Sequence, residues 1–291
     1  MDRPTEGILL RLEHLNRLLA GPKWELIPLK GALDQAAFLP PGATVTITAS
    51  PKRGPEPTLD LAEQLAQRGF SVVPHLAAHT IRDRVHLEQI LARIAAAGIR
   101  RAFVVGGDGA EPGEYPDALS LLRAIRDSGW PFDEVGIAGY PERHPRIPAP
   151  ALLEALREKA PHASYVTTQM CFDARAIARW VESIRAAGIT LPVHLGLPGA
   201  VDPARLLSIS ARIGVGESMR YLRKNRGVLG WLLPWRRPNA GRLLAELGPP
   251  IGDPAVGIER VHLFTFNQVE ATVAWWRAFE RNARYIASAS E

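Results

Sequence analysis

Apolar positions along this 291-residue chain fall into two alternating rhythms. Short runs rich in β-branched and aromatic residues recur eight times: KWELIPL (23–29), ATVTITA (43–49), FSVVPHLA (70–77), RAFVVGGD (101–108), EVGIAGYP (134–141), SYVTTQMCFD (164–173), LPVHLGLPG (191–199) and IERVHLFTFN (258–267). Between most of them, apolar residues return every three or four positions, as in LDLAEQLAQRG, RVHLEQILARIAAAG and ARAIARWVESIRAAG, which predicts helices. Several of these segments end in glycine, the residue that most readily takes the left-handed turn closing a helix. Strands alternating with helices predict parallel pairing. Eight of them in a chain of this length predict an α/β fold, a (β/α)8 TIM barrel, with an open doubly wound sheet as the alternative.

Three segments depart from the rhythm. The first connection, KGALDQAAFLPPG, has room for one or two helical turns only. Residues 200–257 predict two or three additional helices after the seventh strand, placed to cover part of the barrel mouth. Residues 1–22 predict an amphipathic helical extension ahead of a single catalytic barrel spanning 23–291, suited to closing the barrel floor or packing on a second subunit of a homo-oligomer.

Composition narrows the setting. With 46% hydrophobic residues the chain can bury a large core. No apolar run is long enough to span a bilayer, and charges interrupt the N-terminal segment, so a cytoplasmic protein is expected. The single cysteine, Cys171, cannot form an intrachain disulfide. A formal net charge of +5 favours anionic partners without choosing among nucleic acids, acidic metabolites and phosphorylated cofactors.

The chemistry gathers at the strand ends. In a barrel of this type the carboxyl ends of the strands form the catalytic face. There the sequence places Glu25, Thr46 and Thr48, His75, Asp108, Tyr140 with Glu142 and His144, Thr168 and Gln169, and Thr265 with Asn267. Polar groups at the ends of apolar strands must be paired or used, which points to a binding site. His75 and His79 have metal-like spacing but straddle a strand end without a matching carboxylate, so no metal is expected.

WELIP, the GGD at 106–108, AGYPERHP at 138–145, TTQMCFD at 167–173, LPVHLGLPG and LFTFN occur in the order and strand context of one family. Over residues 23–280 the chain resembles methylenetetrahydrofolate reductase. The resemblance implies a barrel that uses FAD and NADH or NADPH to reduce 5,10-methylenetetrahydrofolate to 5-methyltetrahydrofolate. It implies that Glu25 is the acid that protonates N10, its neutral form favoured by the apolar run around it. Asp108 matches a pterin-contacting aspartate near the flavin, and Gln169 a glutamine that serves both folate and nicotinamide. Tyr221 matches an aromatic that holds folate or nicotinamide, and Thr48 is placed beside the substrate. Thr46, His75, Gly107, Tyr115, Tyr140, His144 and Lys159 match the surroundings of FAD, with Lys159 meeting the pyrophosphate.

Departures from the family pattern lie mainly at the adenosine end. Gly106 replaces an arginine, Leu152 and Ala155 replace ribose-binding residues, and Gln268 replaces an arginine after LFTFN. Flavin-free hydride transfer from the nicotinamide therefore stays open beside FAD. So do another folate enzyme on the same scaffold and a basic nucleic-acid binder. The run 219–242, with interleaved cations and aromatics, also suits the γ-carboxylates of a polyglutamate tail.

Overall fold

The computed structural model describes residues 18–19, 21–107, 113–129, 132–144, 146–171, 173–200 and 256–289, with side chains to 281. The helices expected within 200–257, and most of the N-terminal extension, lie outside the described residues. So do Asp108 and Tyr221.

The chain runs β1 (Lys23–Leu26), α1 (Ala32–Ala36), β2 (Thr44–Ile47), α2 (Glu56–Gln67), β3 (Ser71–Ala77), α3 (Arg84–Ala96), β4 (Arg101–Val105) and α4 (Ala118–Asp127). It continues through β5 (Glu134–Gly139), α5 (Ala149–Lys159), β6 (Tyr165–Thr168), α6 (Ala174–Ala186), β7 (Val193–Pro198), β8 (Ile258–Phe264) and α7 (Val269–Ala289). Each strand pairs in parallel with the next and β8 pairs with β1, so the sheet closes into an eight-stranded barrel. The open doubly wound sheet is excluded, and α1 is the short helix that its connection allowed. Among the described residues no helix is long and apolar enough to cross a membrane.

Two-residue alternation divides every strand between helix layer and lumen. Trp24, Leu26, Val45, Ile47, Val72, Leu76, Val104, Val166, Leu195 and Leu263 join the helices in one continuous apolar core. Burying each such side chain stabilises the fold by roughly 1.5–3 kcal/mol. Asp83 caps α3 by accepting the His86 N–H at 2.7 Å, and Asp117 with Ser120 closes a capping box on α4. Asp173 caps α6 by accepting from the N–H groups of Arg175 and Ala176.

The lumen is polar to a degree that barrel interiors dominated by Val, Ile and Leu are not. A small apolar cluster, Val73, Phe103 and Tyr165, occupies part of it. Gly136 of β5 leaves the space that the Tyr165 ring fills, since a methyl there would overlap the ring. Tyr165 stacks on His194 at 4.1 Å between centroids, and Phe103 packs on His75 at 4.7 Å. The Lys23 ammonium lies 3.6 Å from the Tyr165 ring centre. Glu134 stands 3.8 Å from it, an ion pair too long to be a hydrogen bond, so the ring face and Coulomb attraction hold the cation.

Candidate active site

Glu25 is the third residue of β1, and alternation turns it into the lumen with Lys23 while Trp24 and Leu26 face the helices. Its register partners are Thr46 of β2 and Phe264 of β8. One carboxylate oxygen, Oε2, lies 3.1 Å from Nε2 of His262, a residue of β8 that is itself buried. Around this pair, several buried polar atoms toward the carboxyl ends of their strands have no hydrogen-bond partner among the described residues: Thr46 Oγ1, His75 Nε2 and Thr167 Oγ1. Native interiors leave few such atoms unpaired, and these three, two on the adjacent strands β2 and β3 and one on β6 across the barrel, leave bonding capacity that a ligand could use.

The electrostatics favour neutral, hydrogen-bonding histidine rings in the lumen. Burial pushes the His75 pKa down to about 3, with His262 and Lys23 adding to the effect. Burial likewise holds His194 well below the ordinary histidine value, with Lys23, Arg260 and His262 contributing. Both rings are neutral near pH 7 and offer one donor and one acceptor each. Lys23 is lowered to about 7, chiefly by burial, which the Glu134 carboxylate partly offsets.

Gln169 follows β6 in the same parity as Tyr165 and Thr167, and its N–H donates to the Gly139 carbonyl at 2.8 Å, which seats it at the rim. Thr167, not Thr168, is the lumen threonine of this strand. The Thr168 hydroxyl faces the other way, accepting from the Gly196 N–H at 2.8 Å and donating to the Gln169 carbonyl. Thr48 lies just past β2; its N–H donates to the Leu26 carbonyl and its own carbonyl accepts from Thr58 of α2.

Tyr140 and His144 follow β5 with their rings edge to face at 5.1 Å. Glu142 of the same turn accepts the Asp173 N–H at 2.7 Å, fastening the turn to the start of α6. Gly107, after β4, has φ +90°, and a side chain there would sit 3.2 Å from the Ala77 Cβ. Two residues stand apart from the lumen group. Tyr115 packs into the outer apolar core, and burial raises its pKa. Lys159 ends α5 in the helical layer, where burial lowers its pKa and the Asp117 carboxylate acts in the opposite sense. Leu152 and Ala155 are half-buried on the same helix.

His262 and His194 are the residues that the strand-end reading passed over. Both lie inside apolar runs, VHLF of β8 and PVHL at the start of β7, where a lone histidine reads as core. The signal was their parity. His262 shares a face with Phe264, the register partner of Glu25. Among the described residues no group of three histidine, cysteine or acidic side chains could hold a metal ion.

Comparison with known proteins gives a consistent picture. The profile described as methylenetetrahydrofolate reductase matches residues 31–200, more than half of the chain. A Caenorhabditis elegans protein named "Probable methylenetetrahydrofolate reductase (NADPH)" is 34% identical over 119 residues, 38% of this chain and 17% of that protein. Methylenetetrahydrofolate reductase 2 of Saccharomyces cerevisiae is 32% identical over 89 residues, 29% of this chain and 15% of its own length. The chain thus matches less than a fifth of either relative. Among solved structures, an oxaloacetate acetylhydrolase bound to 3,3-difluorooxalacetate superposes with a TM-score of 0.51 at 11% identity, over 92% of this chain and 82% of that one, a likeness of fold alone.

Proposed function

The chain belongs to the methylenetetrahydrofolate reductase family, and on that premise we propose that it reduces 5,10-methylenetetrahydrofolate to 5-methyltetrahydrofolate with NADH or NADPH. The observation that carries this reading is Glu25, a lumen carboxyl held by His262 with the unpaired Thr46 hydroxyl in register beside it. Breaking the N10–methylene bond sends its electron pair to N10, which must take a proton as the N5 iminium forms. A carboxylic acid held at the mouth supplies that proton, and hydride then adds to the iminium carbon. Gln169, able to donate and accept, positions the pterin at the rim. Asp108, Tyr221 and Thr48 complete the substrate side in this proposal.

FAD is the cofactor that the family implies. The unpaired Thr46 Oγ1 and His75 Nε2 fit the polar edge of an isoalloxazine. Thr46, His75, Gly107, Asp108, Tyr140 and His144 would hold that end, with Lys159 toward the pyrophosphate and Tyr115 supporting the core behind it. The chemistry the flavin supplies when bound is relay of a hydride from the nicotinamide to the folate carbon. The apolar Leu152 and Ala155 give the adenosine ribose no polar partner, and they favour a second reading in which the nicotinamide reduces folate directly. Glu25 has the same role in both.

The test is an assay of purified protein with each nicotinamide and 5,10-methylenetetrahydrofolate, with and without added FAD, reading 5-methyltetrahydrofolate by chromatography. Product formation is expected, together with a flavin absorption spectrum after FAD is added and excess removed. Product without bound flavin selects direct transfer. No product under any of these conditions overturns the proposal.

A further inference from the structure

Glu25 is gripped by one strand and the turn that follows it. His262 meets its side chain. The Thr265 hydroxyl donates to the Glu25 carbonyl, and Asn267 brackets Ile27 with both ends of its amide: the Ile27 N–H donates to Oδ1 and Nδ2 donates to the Ile27 carbonyl, each at 2.8 Å. The side chain of Asn267 thereby extends the β1 ladder where β8 has ended. To reach this position Phe266 and Asn267 adopt φ of 49° and 56°, the left-handed region that side chains other than glycine rarely enter. Such a pair of conformations persists where the surroundings over-determine it, and this occurs here beside the candidate proton donor.

The histidine contact is directional. Nδ1 of His262 is buried with no partner among the described residues. A hydrogen on Nδ1 would be an orphaned buried donor, whereas a bare lone pair there is the lesser loss, so the proton belongs on Nε2, facing Glu25. Nε2–H then donates to Oε2. Oε1 has no hydrogen-bond partner among the described residues, and the side chain retains 12% of its surface open.

We propose that His262 is a positioning residue: its Nε2–H fixes the plane of the Glu25 carboxyl and leaves Oε1 as the oxygen that carries the transferable proton, while Thr265 and Asn267 fix the backbone beneath it. The proposal rests on the reading of Glu25 as the acid in folate reduction. His262 makes no contact with substrate in this account. It acts through Glu25.

The test compares His262→Phe and His262→Gln in the full-length protein. His262→Phe removes the donor, and kcat for folate reduction is expected to fall about 10- to 100-fold with KM within about twofold, the pattern of a misplaced catalytic group. Glutamine reaches a similar position with an amide N–H, so His262→Gln is expected to recover most of the lost kcat. Wild-type kcat in His262→Phe, or no recovery in His262→Gln, overturns the proposal. A second measurement is independent of turnover: 15N imidazole spectra should show His262 as the Nε2–H tautomer, with its Nε2 resonance displaced in Glu25→Leu. An Nδ1–H tautomer, or a resonance indifferent to Glu25→Leu, overturns it as well. Should the wild type make no 5-methyltetrahydrofolate, the functional reading fails, and the spectra still decide whether the pair exists.

Discussion

Thr46 shows how a single residue separates binding from folding. Its hydroxyl is buried without a partner beside Glu25, an arrangement that costs stability. Thr46→Val should therefore raise the unfolding free energy by about 1 kcal/mol in urea titrations while weakening flavin or folate binding several-fold. A loss of stability would show instead that the hydroxyl serves the fold. Gly107 argues the other way, from backbone conformation. Its φ of +90° and the nearby Ala77 Cβ mean that Gly107→Ala should destabilise by about 1–2 kcal/mol, measured by thermal or urea unfolding. Thr46 was legible as a strand-end hydroxyl. The role of Thr167 was not, because TTQ does not say which of two adjacent threonines faces inward until β6 is registered against β5 and β7.

Among the elements, the turn after β8 holds more than its short sequence suggests. Asn267 makes two side-chain hydrogen bonds to Ile27, so Asn267→Ala leaves a buried N–H and a buried carbonyl unpaired. A cost of about 2–4 kcal/mol is expected, read as a lower urea midpoint with unchanged m-value. A cost under 0.5 kcal/mol would mean that β1 is anchored elsewhere. The strands and helices themselves were readable from hydrophobic period alone, because each β-branched run alternates with an amphipathic segment and the caps at Asp83, Asp117 and Asp173 announce three of the helices. The side-chain extension of β1 by Asn267 was not readable, since it joins residues 240 positions apart through a left-handed turn that no local propensity favours.

At the scale of the molecule, the barrel encloses a charge that it could do without. The Lys23 pKa falls from 10.5 to about 7, chiefly through burial. Between those values the unfolded chain binds a proton that the native protein does not, so the cost of burying Lys23 is full below pH 7 and is relieved as pH rises toward 10.5. Stability should climb across this window by at most about 1.4 kcal/mol per pH unit from this group. Lys23→Met should remove that part of the slope and equal or exceed the wild type at pH 6.5, as measured by urea midpoints at pH 6.5 and 9.5. An unchanged slope would place the titration elsewhere. The closed barrel was visible in the sequence, as were the strand-end residues of the candidate site, but the histidines and lysine that fill the lumen read as ordinary interruptions of apolar strands, and only closure brings β1 against β8 to make Glu25 and His262 neighbours. Proton donation from Glu25 to folate is the step on which the proposed reaction turns. Its most direct test is Glu25→Gln under saturating nicotinamide and 5,10-methylenetetrahydrofolate, reading 5-methyltetrahydrofolate together with binding of the nicotinamide: product formation should fall at least about 100-fold with nicotinamide affinity retained, whereas near-wild-type product formation would contradict it.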